Sequence, residues 1–186
     1  MRSRALLAGL FLLVSQNSTA EVRSSLDYLY YNADANLGGS LTAILKRSAP
    51  ASMEGHLGWT SWHVNWHYHW HFNADGACRI TESTTELAAT ITLPSLVNGT
   101  TTQVTAMNSF LAALRVHELG HVNIGRQAAD AIDQAILALP QMANCELLGS
   151  QANRAAQQIL DQWRDAEKRY DVETGSGRSQ GAVLPD

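Results

Sequence analysis

Strict alternation marks the most regular stretch of the chain. From position 62 to 72 the even residues are Trp62, Val64, Trp66, Tyr68, Trp70 and Phe72, and the odd residues are His63, Asn65, His67, His69 and His71. A period of two over this length predicts one strand, 59–72, with an apolar face and a polar face. Asn73-Ala74-Asp75-Gly76 supplies a hairpin turn. The Thr- and Ile-rich run 78–93, closed by Pro94, predicts the returning strand. Upstream, the aromatic-rich run 26–33 predicts a further strand. Leu41, Ile44 and Leu45 at helical spacing predict a short helix over 40–47 that stops before Pro50.

Beyond a loop at 95–102, whose threonines suit a helix cap, the period changes. Phe110, Leu114, His117, His121, Ile124, Ala128, Ile132, Ala135 and Leu139 form one stripe of a helix over 103–139. Gly120 and Gly125 interrupt it, each at a cost of roughly 1 kcal/mol against Ala. Close approach of a neighbouring strand or of substrate is the expected compensation, with a bend or break near Gly125. A second helix, 146–170, carries Leu148, Ala152, Ala156, Ile159 and Leu160 on one side and a charged, solvated face on the other. Residues 171–186 show no periodicity. Strands followed by helices predict an α+β fold, with a small, mostly antiparallel sheet packed on the first long helix and a second long C-terminal helix.

Composition narrows the class. The chain has 186 residues, 45% hydrophobic and 16% charged, which suits one globular domain. A net charge of −4 offers no basic footprint for nucleic acid. Residues 1–20 read as a signal peptide: Arg2 and Arg4, an apolar run over 5–14, then Ser18-Thr19-Ala20 as a small-residue cleavage site. That leaves a domain at 21–175 and a polar tail at 176–186, in a periplasmic or secreted protein with no stable membrane anchor after cleavage. In such a compartment Cys78 and Cys145, the two cysteines of the chain, form a disulfide.

The candidate chemistry lies on the first long helix. His117-Glu118-Leu119-Gly120-His121 reads H-E-x-x-H. Residues four apart share a helix face, so His117 and His121 can bind one metal ion. Glu118 flanks that ion without ligating it and can take a proton from an attacking water. Both His continue the apolar, core-facing stripe, where buried rings need partners. Two hydrogen-bonded core histidines are the blander alternative, and they leave Glu118 unexplained. His63, His67, His69 and His71, on the polar face of that strand, read either as a metal-binding ladder or, first, as a solvated face, because parallel side chains on a strand do not converge on a tetrahedral ion.

Several motifs recur together. They are Tyr30-Tyr31 with the 41–45 helix, Gly58-Trp59-Thr60-x-Trp62-x-x-x-Trp66, Cys78, Leu93-Pro94, His117-Glu118-x-Gly120-His121, Cys145, Tyr170-Asp171-x-x-Thr174-x-x-Gly177 and Gln180-Gly181-Ala182. In these the chain resembles a bacterial family of predicted secreted zinc-dependent proteases, domain of unknown function nine-two-two, within the zincin superfamily. The resemblance covers nearly the whole chain after the signal peptide. It implies a zincin-like fold, a Zn²⁺ ion and hydrolysis of a peptide or protein substrate, with Glu118 as general base. Where the family pattern carries a His, this chain has Ser176. A catalytic zinc site needs three protein ligands. Asp171 matches the family pattern as the third, and Glu173, Glu146 or a strand His are the other candidates. Tyr170 is either an oxyanion donor or a packing group. The alternative function is an exported, non-catalytic zinc-binding protein, either a degenerate zincin or a His-rich metal buffer.

Overall fold

The computed structural model describes residues 19–185. The signal-peptide reading falls outside the described residues except for Thr19 and Ala20, which open the first strand. In chain order the main elements are β1 (Thr19–Asp34), α1 (Leu41–Ser48), β2 (Trp59–Phe72), β3 (Cys78–Val97), α2 (Thr101–Leu137) and α3 (Cys145–Thr174), followed by a single 3-10 turn at Arg178–Gln180. The fold is α+β.

The three strands form one sheet in the order β1-β3-β2. β2 and β3 make the expected hairpin, with Trp62 opposite Ala89 and Val64 opposite Leu87. β1 runs parallel to β3, with Leu26 opposite Ala89 and Tyr30 opposite Leu93. The sheet is therefore mixed, which corrects the expectation of a mostly antiparallel one. The connection from β1 to β2 contains α1 and is long enough to reach the far edge. β3 then returns between them in the direction of β1, as a parallel pair with a crossover allows. Periodicity shows that strands exist and is silent on which edges meet.

β3 also runs past Pro94 to Val97, beyond the predicted end. β2 pairs with β3 only as far as Thr92, while Pro94 sits opposite Tyr31 of β1. From Leu93 onward the strand has a neighbour on one side only, and there a missing N–H is tolerated.

α2 is 37 residues long, about 55 Å at 1.5 Å per residue. A capping box starts it: Thr100 Oγ1 accepts from Gln103 N at 3.3 Å, and Gln103 Oε1 accepts from Thr100 N at 2.9 Å. The helix is continuous through Gly125, where a bend or break was expected. A Cβ at 125 would stand 2.9 Å from the Trp62 ring, so this glycine admits the sheet to the helix surface. Gly120 does the same for α3, since a Cβ there would overlap the Tyr170 hydroxyl.

α3 starts on Asn144, whose Oδ1 accepts from Leu147 N at 2.9 Å. It runs antiparallel to α2, with Glu167 beside His121 and Asp171 beside His117. The Cys78–Cys145 disulfide ties the start of α3 to the start of β3 with Cα atoms 5.1 Å apart, across 67 residues of sequence.

Apolar side chains gather in two clusters. One joins α1, the first half of α2 and the C-terminal segment, through Leu41, Leu45, Leu93, Phe110, Ala182 and Leu184. The other joins the hairpin, the second half of α2 and α3, through Val64, Leu87, Ile132, Ile136, Leu148 and Leu160. His117 and His121 lie on α2 between the two. Among the described residues no helix is long and apolar enough to cross a membrane.

Candidate metal centre

Two antiparallel helices each bring a pair of polar residues four apart to the same point: His117 and His121 from α2, Glu167 and Asp171 from α3. Four-residue spacing on both helices gives the pairs a common rise of about 6 Å, so they match rung for rung. His117 Nε2 lies 3.1 Å from Asp171 Oδ1, His121 Nε2 lies 3.2 Å from the same oxygen, and the two Nε2 atoms are 3.3 Å apart. Donors about 2.0–2.1 Å from a tetrahedral ion lie about 3.3–3.4 Å from one another, so this triangle matches such a site. His117, His121 and Asp171 could thus hold a metal ion.

The outer ring nitrogens show why the triangle suits a cation. His117 Nδ1 lies 3.0 Å from Gln180 Oε1, and His121 Nδ1 lies 2.9 Å from Glu167 Oε2. Both partners are acceptors, so both Nδ1 atoms carry the proton. The two Nε2 lone pairs therefore point at Asp171 Oδ1. Three acceptors around one point repel unless a positive charge joins them.

In the metal-free protein the two histidines respond differently to burial and charge. Desolvation, helped by neighbouring His121, holds the His117 pKa below its ordinary value. Desolvation also opposes charge on His121, but Glu167, with Asp171 and Glu118, outweighs it and raises the His121 pKa.

Glu118 is 3% exposed, and burial pushes its pKa up to about 7 against the opposing hydrogen bond from Thr60. The Thr60 hydroxyl donates to Glu118 Oε2 at 2.7 Å. The other carboxylate oxygen faces Gly58, where a Cβ would stand 2.5 Å from Oε1. The start of β2 thus holds one oxygen of Glu118 and leaves the other uncrowded. A cleft of about 400 Å³ opens here, walled by Trp59 and Trp62 on one side and by Arg164 and Lys168 on the other. A second cavity of about 810 Å³, between α1 and the C-terminal segment, shares Gly58, His117 and Glu118 with it. The site is therefore open on two sides.

The other sequence candidates lie elsewhere. Glu146 is in the first turn of α3, about 37 Å along that helix from Asp171. Glu173 is exposed and outside the triangle. His63, His67, His69 and His71 are all exposed on the sheet face turned away from the helices. Among the described residues they form no converging metal group. Ser176 follows the helix end with φ +53°, and its N–H donates to Asp171 O at 2.8 Å. His117, His121 and Asp171 offer three ligand atoms without a side chain from position 176. The Tyr170 ring stacks on His117 with centroids 5.1 Å apart, and its hydroxyl donates to His117 O at 3.3 Å. It is committed to packing on the site rather than directed at the cleft.

Glu167 is not singled out in the sequence, and Thr60 and Gln180 stand in the motifs that carry the resemblance without an assigned role at the site. A signal existed for Glu167, because Glu167-x-x-x-Asp171 repeats on α3 the spacing of His117 and His121. Thr60 and Gln180 reach the site from other elements, and local patterning carries no mark of that.

A family model described as a bacterial protein of unknown function (DUF922) matches residues 28–178. No curated protein and no solved structure matches.

Proposed function

The chain belongs to this DUF922 family of bacterial proteins, and we propose that it is an exported zinc-dependent peptidase of the zincin type. The observation that carries the reading is the convergence of His117 Nε2, His121 Nε2 and Asp171 Oδ1 beside a buried Glu118 in an open cleft. Two imidazoles and one carboxylate suit zinc, and three protein ligands leave a fourth position for the reaction. The Cys78–Cys145 disulfide supports residence in an oxidising compartment.

A zinc ion held there supplies Lewis acidity toward water and toward a peptide carbonyl. Thr60 anchors Glu118 Oε2 and so turns Oε1 to the cleft. Through Oε1, Glu118 takes the proton from the attacking water and delivers it to the departing amine. Its raised pKa suits both halves of that exchange near neutral pH. Glu167 and Gln180 hold the two imidazoles with Nε2 inward, and Trp59 and Trp62 offer an apolar wall for substrate side chains.

The test combines metal analysis with cleavage of a peptide library. The purified protein should hold one zinc per chain and cleave. Glu118→Gln should keep the metal and lose at least 100-fold in kcat, as expected for removal of a general base. Absence of stoichiometric zinc, or cleavage indifferent to Glu118→Gln, would overturn the reading. Bound zinc without any cleavage would favour the non-catalytic zinc-binding protein.

A further inference from the structure

The segment after α3 touches the centre at an atom where its chemistry is decided. Gln180 bridges two groups: its Oε1 lies 3.0 Å from His117 Nδ1, and its Nε2 donates to the Tyr170 hydroxyl at 2.9 Å. The Tyr170 hydroxyl donates to His117 O at 3.3 Å. A flipped Gln180 amide would draw that proton to its own oxygen and set an N–H against His117 Nδ1, so the choice falls to the other group at Nδ1.

Thr174 makes that choice. Its hydroxyl donates to Tyr170 O at 2.7 Å, so the lone pair that faces His117 Nδ1 at 3.4 Å is an acceptor. An acceptor opposite Nδ1 calls for the Nδ1–H tautomer, with the Gln180 oxygen as its second acceptor, and that tautomer presents the Nε2 lone pair to Asp171 and His121.

The segment that delivers Gln180 is itself fastened. Ser176 N–H donates to Asp171 O at 2.8 Å, and Ala182 N–H donates to Gly177 O at 3.0 Å. Gly177 lies so close to His117 that a Cβ would stand 3.1 Å from its Cβ and Cγ. Ala182 and Leu184 are buried in the core cluster of α1 and α2.

We propose that residues 175–184 are a latch that makes His117 a metal ligand, with Gln180 as the positioning residue that locks its tautomer. The proposal rests on the metal-centre reading above. It adds that metal affinity depends on a residue that touches no metal, in a segment that the sequence pattern presents as a polar tail. Loss of such an outer hydrogen bond typically costs 10–100-fold in metal affinity.

The test uses the full chain with two readouts. In the metal-free protein, long-range ¹H–¹⁵N correlation spectra report the His117 tautomer. Competition with a chromophoric chelator reports zinc affinity. The parent should show His117 as the Nδ1–H form alone. Gln180→Leu, which leaves Nδ1 only the longer 3.4 Å contact to Thr174, should show mixed tautomers and bind zinc 10–100-fold more weakly. Gln180→Glu keeps an acceptor opposite Nδ1, with the Tyr170 hydroxyl turning to donate to its second oxygen, and should restore both to within about threefold. Parent-like tautomer and affinity in Gln180→Leu would overturn the proposal. So would failure of Gln180→Glu to restore them, since the defect would then come from repacking of the segment. If the parent binds no zinc, the peptidase reading falls while the metal-free spectra still judge the lock.

Discussion

Glu118 shows how a single residue carries both the stability and the chemistry of the site. Burial lifts its pKa from an ordinary 4.5 to about 7, so the folded state holds this proton more tightly than the unfolded chain does. The stabilisation from that proton is complete below about pH 4.5 and is lost as pH rises through about 7. A shift of this size is worth about 3 kcal/mol. Urea unfolding in the presence of a chelator, from pH 4.5 to 8, should show the loss in the parent. Glu118→Gln, which has no proton to lose, should not follow it. A parent-minus-variant difference that stays flat with pH would contradict the account. Gly120 supplies a second test at this scale. Gly→Ala inside a helix ordinarily stabilises by up to about 1 kcal/mol. Here the new methyl would overlap the Tyr170 hydroxyl, so Gly120→Ala should destabilise the fold and weaken metal binding.

The elements that matter are the α2–α3 pair and what fastens it. α3 is anchored at one end by the Cys78–Cys145 disulfide and contributes Glu167 and Asp171 at the other. Closing a 67-residue separation is worth about 4 kcal/mol on the chain-entropy model. In a chain of this length that corresponds to roughly 8–16 °C in Tm. The Cys78→Ala/Cys145→Ala variant should lose about that much thermal stability, read by circular dichroism. It should keep one zinc per chain at low temperature, because the bridge and the ligands sit at opposite ends of α3. Loss of zinc from a variant that is still folded would show that the helix ends are coupled more tightly than this geometry implies.

At the scale of the whole molecule, the site occupies the gap between two hydrophobic clusters, and a metal would join the elements that flank the gap. Ligand that binds only the folded state stabilises it by about 2.7 kcal/mol at one hundred times its Kd. Zinc should therefore raise Tm and a chelator should reverse the rise. The exposed histidines of β2 provide the control. Replacing His63, His67, His69 and His71 together with Asn should leave zinc stoichiometry and the Tm rise unchanged, read by calorimetry with and without zinc. A fall in stoichiometry would restore the strand as a metal buffer.

Much of this molecule is legible in local patterning. Alternation from Trp62 to Phe72 sets a two-faced strand, because a strand offers its side chains to two sides in turn. The stripe through His117 and His121 buries both rings, because a 3.6-residue period holds them on the face that packs. H-E-x-x-H at that place brings two imidazoles and a carboxylate together by helix geometry alone. What local patterning leaves open is every relation between elements. The parallel partner of β1, the choice of Asp171 over Glu146 and Glu173, the hold of Thr60 on Glu118 and the reach of Gln180 to His117 join residues about 50 or more positions apart. Such contacts form only when the two cores close against α2, and packing of whole surfaces decides them. The two histidines and the glutamate of the centre are set by the order of residues along one helix. The carboxylate that joins them, Asp171, and the groups that face His117 Nδ1 are set by the fold.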